Sequence, residues 1–179
     1  MTAATDRELV ASAASGDAAA FTRLIDRHYE RIYRMAWRWL GRREEAEDVT
    51  QDVCVKIAHA IRGFRADAEF ATWAYRIAFN TATDALRARQ RTVPTDPSEV
   101  MGLIDGPGQP SPEDDIMGAE LWAEVRALPA QQRDAVLLVY GEDMNHAEAA
   151  EVMGCTEKTV SWHLHAARKA LRVRLEAVG

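Results

Sequence analysis

Residues 145–174, NHAEAAEVMGCTEKTVSWHLHAARKALRVR, decide how this chain folds. Asn145 and Glu148 have the spacing of a helix N-cap and its reciprocal partner, so a short helix runs from there to Met153. Gly154 can take the positive φ of a tight turn, and Thr156 can accept hydrogen bonds from the free N–H groups that open a longer helix. The turn Gly154-Cys155-Thr156 between two helices makes a helix-turn-helix pattern. On a wheel of about 100° per residue, Val160, Leu164, Ala167 and Leu171 fall on the side that packs inward. Lys158, Trp162, His165 and Lys169 form the opposite stripe. From Glu157 onward, Lys158, Arg168, Lys169, Arg172 and Arg174 face only Glu157 and Glu176, so this helix is locally positive. A helix docked by its apolar side and showing cations, polar donors and one aromatic suits a DNA major groove.

Upstream of that motif, Ala130 to about Tyr140 reads as a helix stopped by Gly141. Another begins at Ser111-Pro112, where proline loses no needed hydrogen bond, and ends near Leu128-Pro129. Before it, the stretch TVPTDPSEVMGLIDGPGQPSPEDD holds five of the six prolines, three of the ten glycines and six acidic residues with no basic one. It breaks helix and strand alike and stays solvated. We read residues 92–111 as a linker between domains spanning 1–91 and 112–179.

The first domain is also helical. Thr5 and Glu8 have capping-box spacing, and Gly16-Asp17 is a stop followed by a new cap. Phe21, Leu24, Ile25, His28, Tyr29, Ile32, Met35, Ala36 and Trp39 then recur at three-four spacing over a long amphipathic helix. A third helix, about Arg43–Ile61, places Ala46, Val49, Val53, Ile57 and Ala60 on its apolar side. A fourth, about Phe70–Arg91, buries Phe70, Ala74, Ile77 and Thr81 and ends on Arg87, Arg89 and Arg91. The expected class is all-α, two small helical domains on a flexible acidic Pro/Gly linker, the second with a helix-turn-helix.

Composition narrows the function. The chain has 179 residues, 47% hydrophobic and 28% charged, which is enough apolar material for one or two small domains. Its net charge of −6 argues against a polyanion ligand only until the charges are located, since residues 92–115 alone carry six acidic groups and no basic one. No apolar run approaches the ~20 residues of a membrane span. Two distant cysteines, Cys54 and Cys155, and the lack of a signal-like start point to a cytoplasmic protein with buried thiols. His163 and His165 sit two apart on a helix, about 200° from each other, and cannot share a metal. No nucleophile–base grouping or phosphate loop is present, so no enzyme activity and no cofactor are expected.

Taken in order, AFTRLIDRHYERIYRMAWRWLG, EEAEDVTQDVCVKIAHAI, FATWAYRIAFNTATDALRARQR and LPAQQRDAVLLVYGEDMNHAEAAEVMGCTEKTVSWHLHAARKALRVRL resemble the extracytoplasmic-function group of bacterial RNA polymerase sigma factors. The resemblance covers nearly the whole length. It implies a transcription initiation factor that binds core RNA polymerase through its beta-prime and beta subunits, directs it to promoter DNA, serves a stress response and is held by an anti-sigma factor, with no membrane insertion of its own. By resemblance, the polar side of the third helix, Asp48, Gln51, Asp52 and Lys56, binds a coiled-coil element of the beta-prime subunit. Phe64, Arg65, Arg76, Asn80, Asp84 and Arg87 are the candidates for melting and holding the minus-ten element. Asn80 leads them, because its amide both donates to and accepts from a base edge. Phe70 and Trp73 are expected to pack the domain instead. For the minus-thirty-five element the candidates are Lys158, Thr159, Ser161, Trp162, His165, Arg168 and Lys169. Related chains commonly carry lysine near Ser161, a small polar residue at Trp162 and arginines at His163 and Ala166, so this helix is poorer in cations. The alternative readings are a LuxR-like regulator that binds closed duplex as a dimer, and a helical protein-interaction adaptor. Steep salt dependence of DNA binding argues against the adaptor, and promoter melting against the regulator.

Overall fold

The computed structural model describes residues 4–65, 67–92 and 116–178. Every regular element among them is helical: α1 Asp6–Ala14, α2 Ala18–Leu40, α3 Arg43–Ala60 with a 3-10 turn Ile61–Gly63, α4 Phe70–Thr92, α5 Ile116–Arg126, α6 Ala130–Val136 continued by a π turn Leu137–Gly141, α7 His146–Met153 and α8 Glu157–Val178. No described helix is long and apolar enough to cross a membrane. The expected linker beyond Thr92 and the Ser111-Pro112 start lie outside the described residues. Two compact units emerge, residues 1–37 with 44–93 and residues 38–43 with 94–179.

In the N-terminal unit, Thr5 Oγ1 accepts from Glu8 N while Glu8 Oε2 accepts from Thr5 N, closing the capping box that opens α1. Gly16, at φ 103°, turns the chain, and Asp17 Oδ1 accepts from the N–H groups of Ala19 and Ala20 at the start of α2. The core takes Leu24, Ile32 and Met35 from α2, Ala46, Val49, Val53 and Ile57 from α3, and Phe70, Ala74, Ala78 and Ala82 from α4. Three expectations need correction. Tyr29 is 40% exposed, at the edge of its stripe. Ala60 is exposed and Ile61, the first residue of the 3-10 turn, is buried, because the tighter turn carries the next apolar side chain inward. Ile77 is only partly buried, lying towards the solvent side of α4, whereas Tyr75 and Phe79 are buried.

The C-terminal unit has α6 and α7 both packed on α8, with α5 against α6 and α8. Asn145 and Glu148 form the second capping box, and Gly154 closes α7 in the left-handed conformation at φ 67°. Thr156 Oγ1 accepts from Thr159 N to open α8. Where one helix to Tyr140 was expected, the backbone widens after Val136, and Glu142 N donates to Leu137 O five residues back. A π turn rotates less per residue, so Ala135 through Leu138 stay in the core together.

Candidate nucleic-acid interface

The exposed side of α8 is built by its packed side. Val160, Leu164 and Ala167 are buried, Leu171 is half-buried, and Lys158, Trp162, His165 and Lys169 all face solvent. Trp162 is 64% exposed, an unusual position for so large an apolar ring. Neither Lys158 nor Lys169 is held in an ion pair among the described residues, so both charges are available to an anion. His163, only 7% exposed, turns inward with its Nδ1 lacking a hydrogen-bond partner, which sets it on the far side of the helix from His165.

Three other α8 candidates are already engaged. Thr159 Oγ1 lies 2.9 Å from Thr156 Oγ1, within the cap. Ser161 Oγ is 3.0 Å from His146 Nδ1, which ties the middle of α8 to the first residue of α7. Arg168 hydrogen-bonds the Tyr140 hydroxyl and stacks its guanidinium over that ring, 5.9 Å from the centroid. Farther along, Arg174 pairs with Glu124 at 3.3 Å and donates to Ala127 O, so it secures α8 to the end of α5. His146 and Tyr140 escaped the sequence reading because nothing local marks them. Their roles come from the angles at which α6 and α7 meet α8.

In the N-terminal unit, Arg76, Asn80, Asp84 and Arg87 are all exposed and, at four-four-three spacing, share one face of α4. Arg87 pairs with Asp84 at 3.1 Å, whereas Arg89 points elsewhere, to Glu45 of α3 at 2.9 Å. Arg65 is exposed in the loop before α4. Phe64 is half-buried, with ring centroids 4.9 Å from Trp73 and 6.0 Å from Phe70. The expected base acceptor and the two expected packing residues therefore form one aromatic cluster at the start of α4.

On α3, Asp48, Gln51, Asp52 and Lys56 are exposed. Lys56 pairs with Asp52 at 3.0 Å and donates to Thr81 Oγ1 of α4 at 3.1 Å. An open groove of ≈ 440 Å³ runs between α3 and α4, with Lys56 on one wall and Asn80 on the other. Val55, Ala60 and Ile77 make its surface largely apolar, and Val55 is 54% exposed. Two residues assigned to separate surfaces thus border the same groove. Val55 was overlooked, although an apolar residue three positions beyond Asp52 on a polar face was a readable signal.

The described residues hold no grouping of His, Cys, Asp and Glu arranged for a metal. Cys54 and Cys155 are both free and only partly buried, which corrects the expectation of buried thiols. Partial burial nevertheless pushes both thiols above their ordinary pKa, so neither is an activated nucleophile.

Comparison with known proteins bears on what this arrangement serves. Residues 24–92 match the family model for Sigma-70 region 2, and residues 119–171 match that for Sigma-70 region 4. The ECF RNA polymerase sigma factor SigW of Bacillus subtilis is 30% identical over 174 residues, covering 89% of this chain and 91% of SigW. The RNA polymerase sigma-H factor of Pseudomonas aeruginosa is 31% identical, covering 96% and 94%. This chain belongs to the ECF sigma factors. Among solved structures, CnrH in complex with the cytosolic domain of CnrY superposes with a TM-score of 0.74 at 27% identity, covering 97% of this chain and 99% of that one. As a sigma factor the protein binds core RNA polymerase and directs it to promoters, and it is an initiation factor rather than an enzyme. The region 2 match contains α3, α4 and the groove between them. The region 4 match contains the helix-turn-helix and the Lys158–Lys169 stripe.

Proposed function

We propose that this sigma factor divides promoter recognition between its two units: the α4 face with the preceding loop takes the minus-ten element as separated strands, and α8 reads the minus-thirty-five element as duplex. The observation that carries the reading is the α8 stripe, where Lys158, Trp162, His165 and Lys169 are exposed on a helix whose other side is packed. Unpaired lysines on a rigid support neutralise phosphates, and the polar and aromatic groups between them meet base edges. On α4, the exposed Asn80 amide supplies base contacts, Arg65, Arg76 and Arg87 supply phosphate contacts, and Phe64 supplies a ring for an unstacked base. The acidic α3 face of Asp48, Gln51 and Asp52, with Lys56, suits a basic helical element of the beta-prime subunit, while the beta subunit would hold the C-terminal unit. Membership of the ECF sigma factors carries the expectation of an anti-sigma factor, and CnrH was solved in complex with the cytosolic domain of CnrY, so we assign this chain a protein partner of the anti-sigma kind and a cytoplasmic site of action. The domain limits that go with this reading are 1–91 and 112–179.

The test is in-vitro transcription with sigma-free core polymerase and a pool of random promoters. The full chain should enrich templates sharing two spaced elements. Failure to select any start site, with inhibitor absent, overturns the reading.

A further inference from the structure

The hydroxyl of Ser161 behaves unlike most others in the helices of this protein. Thr22, Thr50, Thr81, Thr83 and Thr92 each donate to the carbonyl four residues back. Ser161 makes no such bond. It is turned to another helix, where His146 Nδ1 lies 3.0 Å away. Ser161 is exposed on α8, and His146, the first residue of α7, is half-buried.

A hydroxyl has one hydrogen and two lone pairs, so the partner that takes the hydrogen decides what remains for a second ligand. An uncharged imidazole whose proton sits on Nε2 accepts at Nδ1. With its hydrogen directed there, Ser161 Oγ presents only lone pairs outward. In the major groove those lone pairs are met by the amino groups of adenine N6 or cytosine N4, and they oppose the acceptors of guanine and thymine. Free serine reads either kind of edge.

We infer that His146 is a positioning residue for promoter choice: by accepting the Ser161 hydrogen it makes Ser161 an acceptor-only reader and imposes a preference for an amino-bearing base at one position of the minus-thirty-five element. The inference rests on the reading that α8 enters the major groove. It adds a residue of α7, outside the recognition helix, to the determinants of specificity.

The measurement is binding of the full chain in holoenzyme to a duplex pool randomised across the minus-thirty-five region. Ser161→Ala locates the position by flattening the preference there, an effect of roughly fivefold for one hydrogen bond. His146→Phe, which keeps a ring but cannot accept, should flatten the same position by a similar factor and leave the others unchanged. His146→Glu, an acceptor only, should bind more weakly overall yet retain the preference. The double variant Ser161→Ala with His146→Phe should equal Ser161→Ala alone, since both remove one interaction. The inference is overturned if His146→Phe retains the preference, if His146→Glu loses it as fully as His146→Phe, or if the two substitutions add. The groove reading is tested separately by Lys158→Ala and Lys169→Ala: unchanged affinity sinks that reading, whereas weakened affinity with no position altered by Ser161→Ala sinks only the role of His146.

Discussion

The two helices proposed to meet DNA are nearly equal in length, 23 residues for α4 and 22 for α8, and each buries one side, yet their exposed faces are built differently. On α4 the charges are partly satisfied within the protein, Arg87 by Asp84, and the neighbouring α3 face pairs Lys56 with Asp52. The most versatile group there is neutral, the Asn80 amide. On α8 no ion pair holds Lys158 or Lys169 among the described residues, and Trp162 beside them is exposed. Charge paired at home contributes little to a new partner, because the existing pair must be exchanged for the new one. Arg87 should therefore add less to the salt dependence of binding than Lys158 and Lys169 of α8.

The largest expected effect tests whether the α8 face depends on its inward side. Leu164→Ala, at a residue 2% exposed, should lower the stability of the C-terminal unit by about 2–5 kcal/mol in urea denaturation, while Trp162→Ala should change it by less than about 0.5 kcal/mol. Equal losses would mean that Trp162 belongs to the core. Next, Asn80→Ala should slow open-complex formation by roughly tenfold with polymerase binding intact, and Asp52→Arg should weaken polymerase binding more than opening. Fluorescence of a base analogue at minus-ten and competition for core polymerase separate the two, and parallel losses in both variants would show the α3 and α4 surfaces to be misassigned. A smaller effect compares the two capping boxes: Thr5→Ala and Asn145→Ala should each remove about 1 kcal/mol from their own unit in thermal melts.

Salt titrations sharpen the contrast further. Lys158→Ala and Lys169→Ala should each lower duplex affinity and flatten the dependence of log K on log salt by about one unit, whereas Arg87→Ala should flatten it less because Asp84 already neutralises that guanidinium. The smallest effect concerns acid. Burial pushes Asp6 upward, but hydrogen bonds and charge from Arg27, at 2.9 Å, and His28, at 2.6 Å, more than offset it and leave the carboxyl below its ordinary value. A depressed carboxylate contributes stability above its unfolded pKa and loses it as pH falls through the folded one. The N-terminal unit should weaken below about pH 4, and Asp6→Asn should show a shallower acid loss in a pH series of melts.

Much of this was legible in the chain itself. The caps Thr5–Glu8 and Asn145–Glu148, the positive-φ turns at Gly16 and Gly154, and the inward and outward sides of α8 are relations among residues at most a few turns apart, and local backbone geometry settles them. Periodicity failed where helices change pitch, at the Ile61–Gly63 turn and the π turn after Val136, because there the angle per residue departs from that of an α-helix. It also said nothing of Phe64 joining Phe70 and Trp73.

Sequence alone thus determined the all-helical class, the helix-turn-helix and the four-residue stripe on α8, since each follows from spacing along one element. Tertiary structure decided which of the candidates are occupied: Ser161 by His146, Arg168 by Tyr140, and Lys56 set across a groove from Asn80. Those partners lie on different helices. The crossing of two helices is set by how their side chains interlock, and no pattern along either one contains that angle.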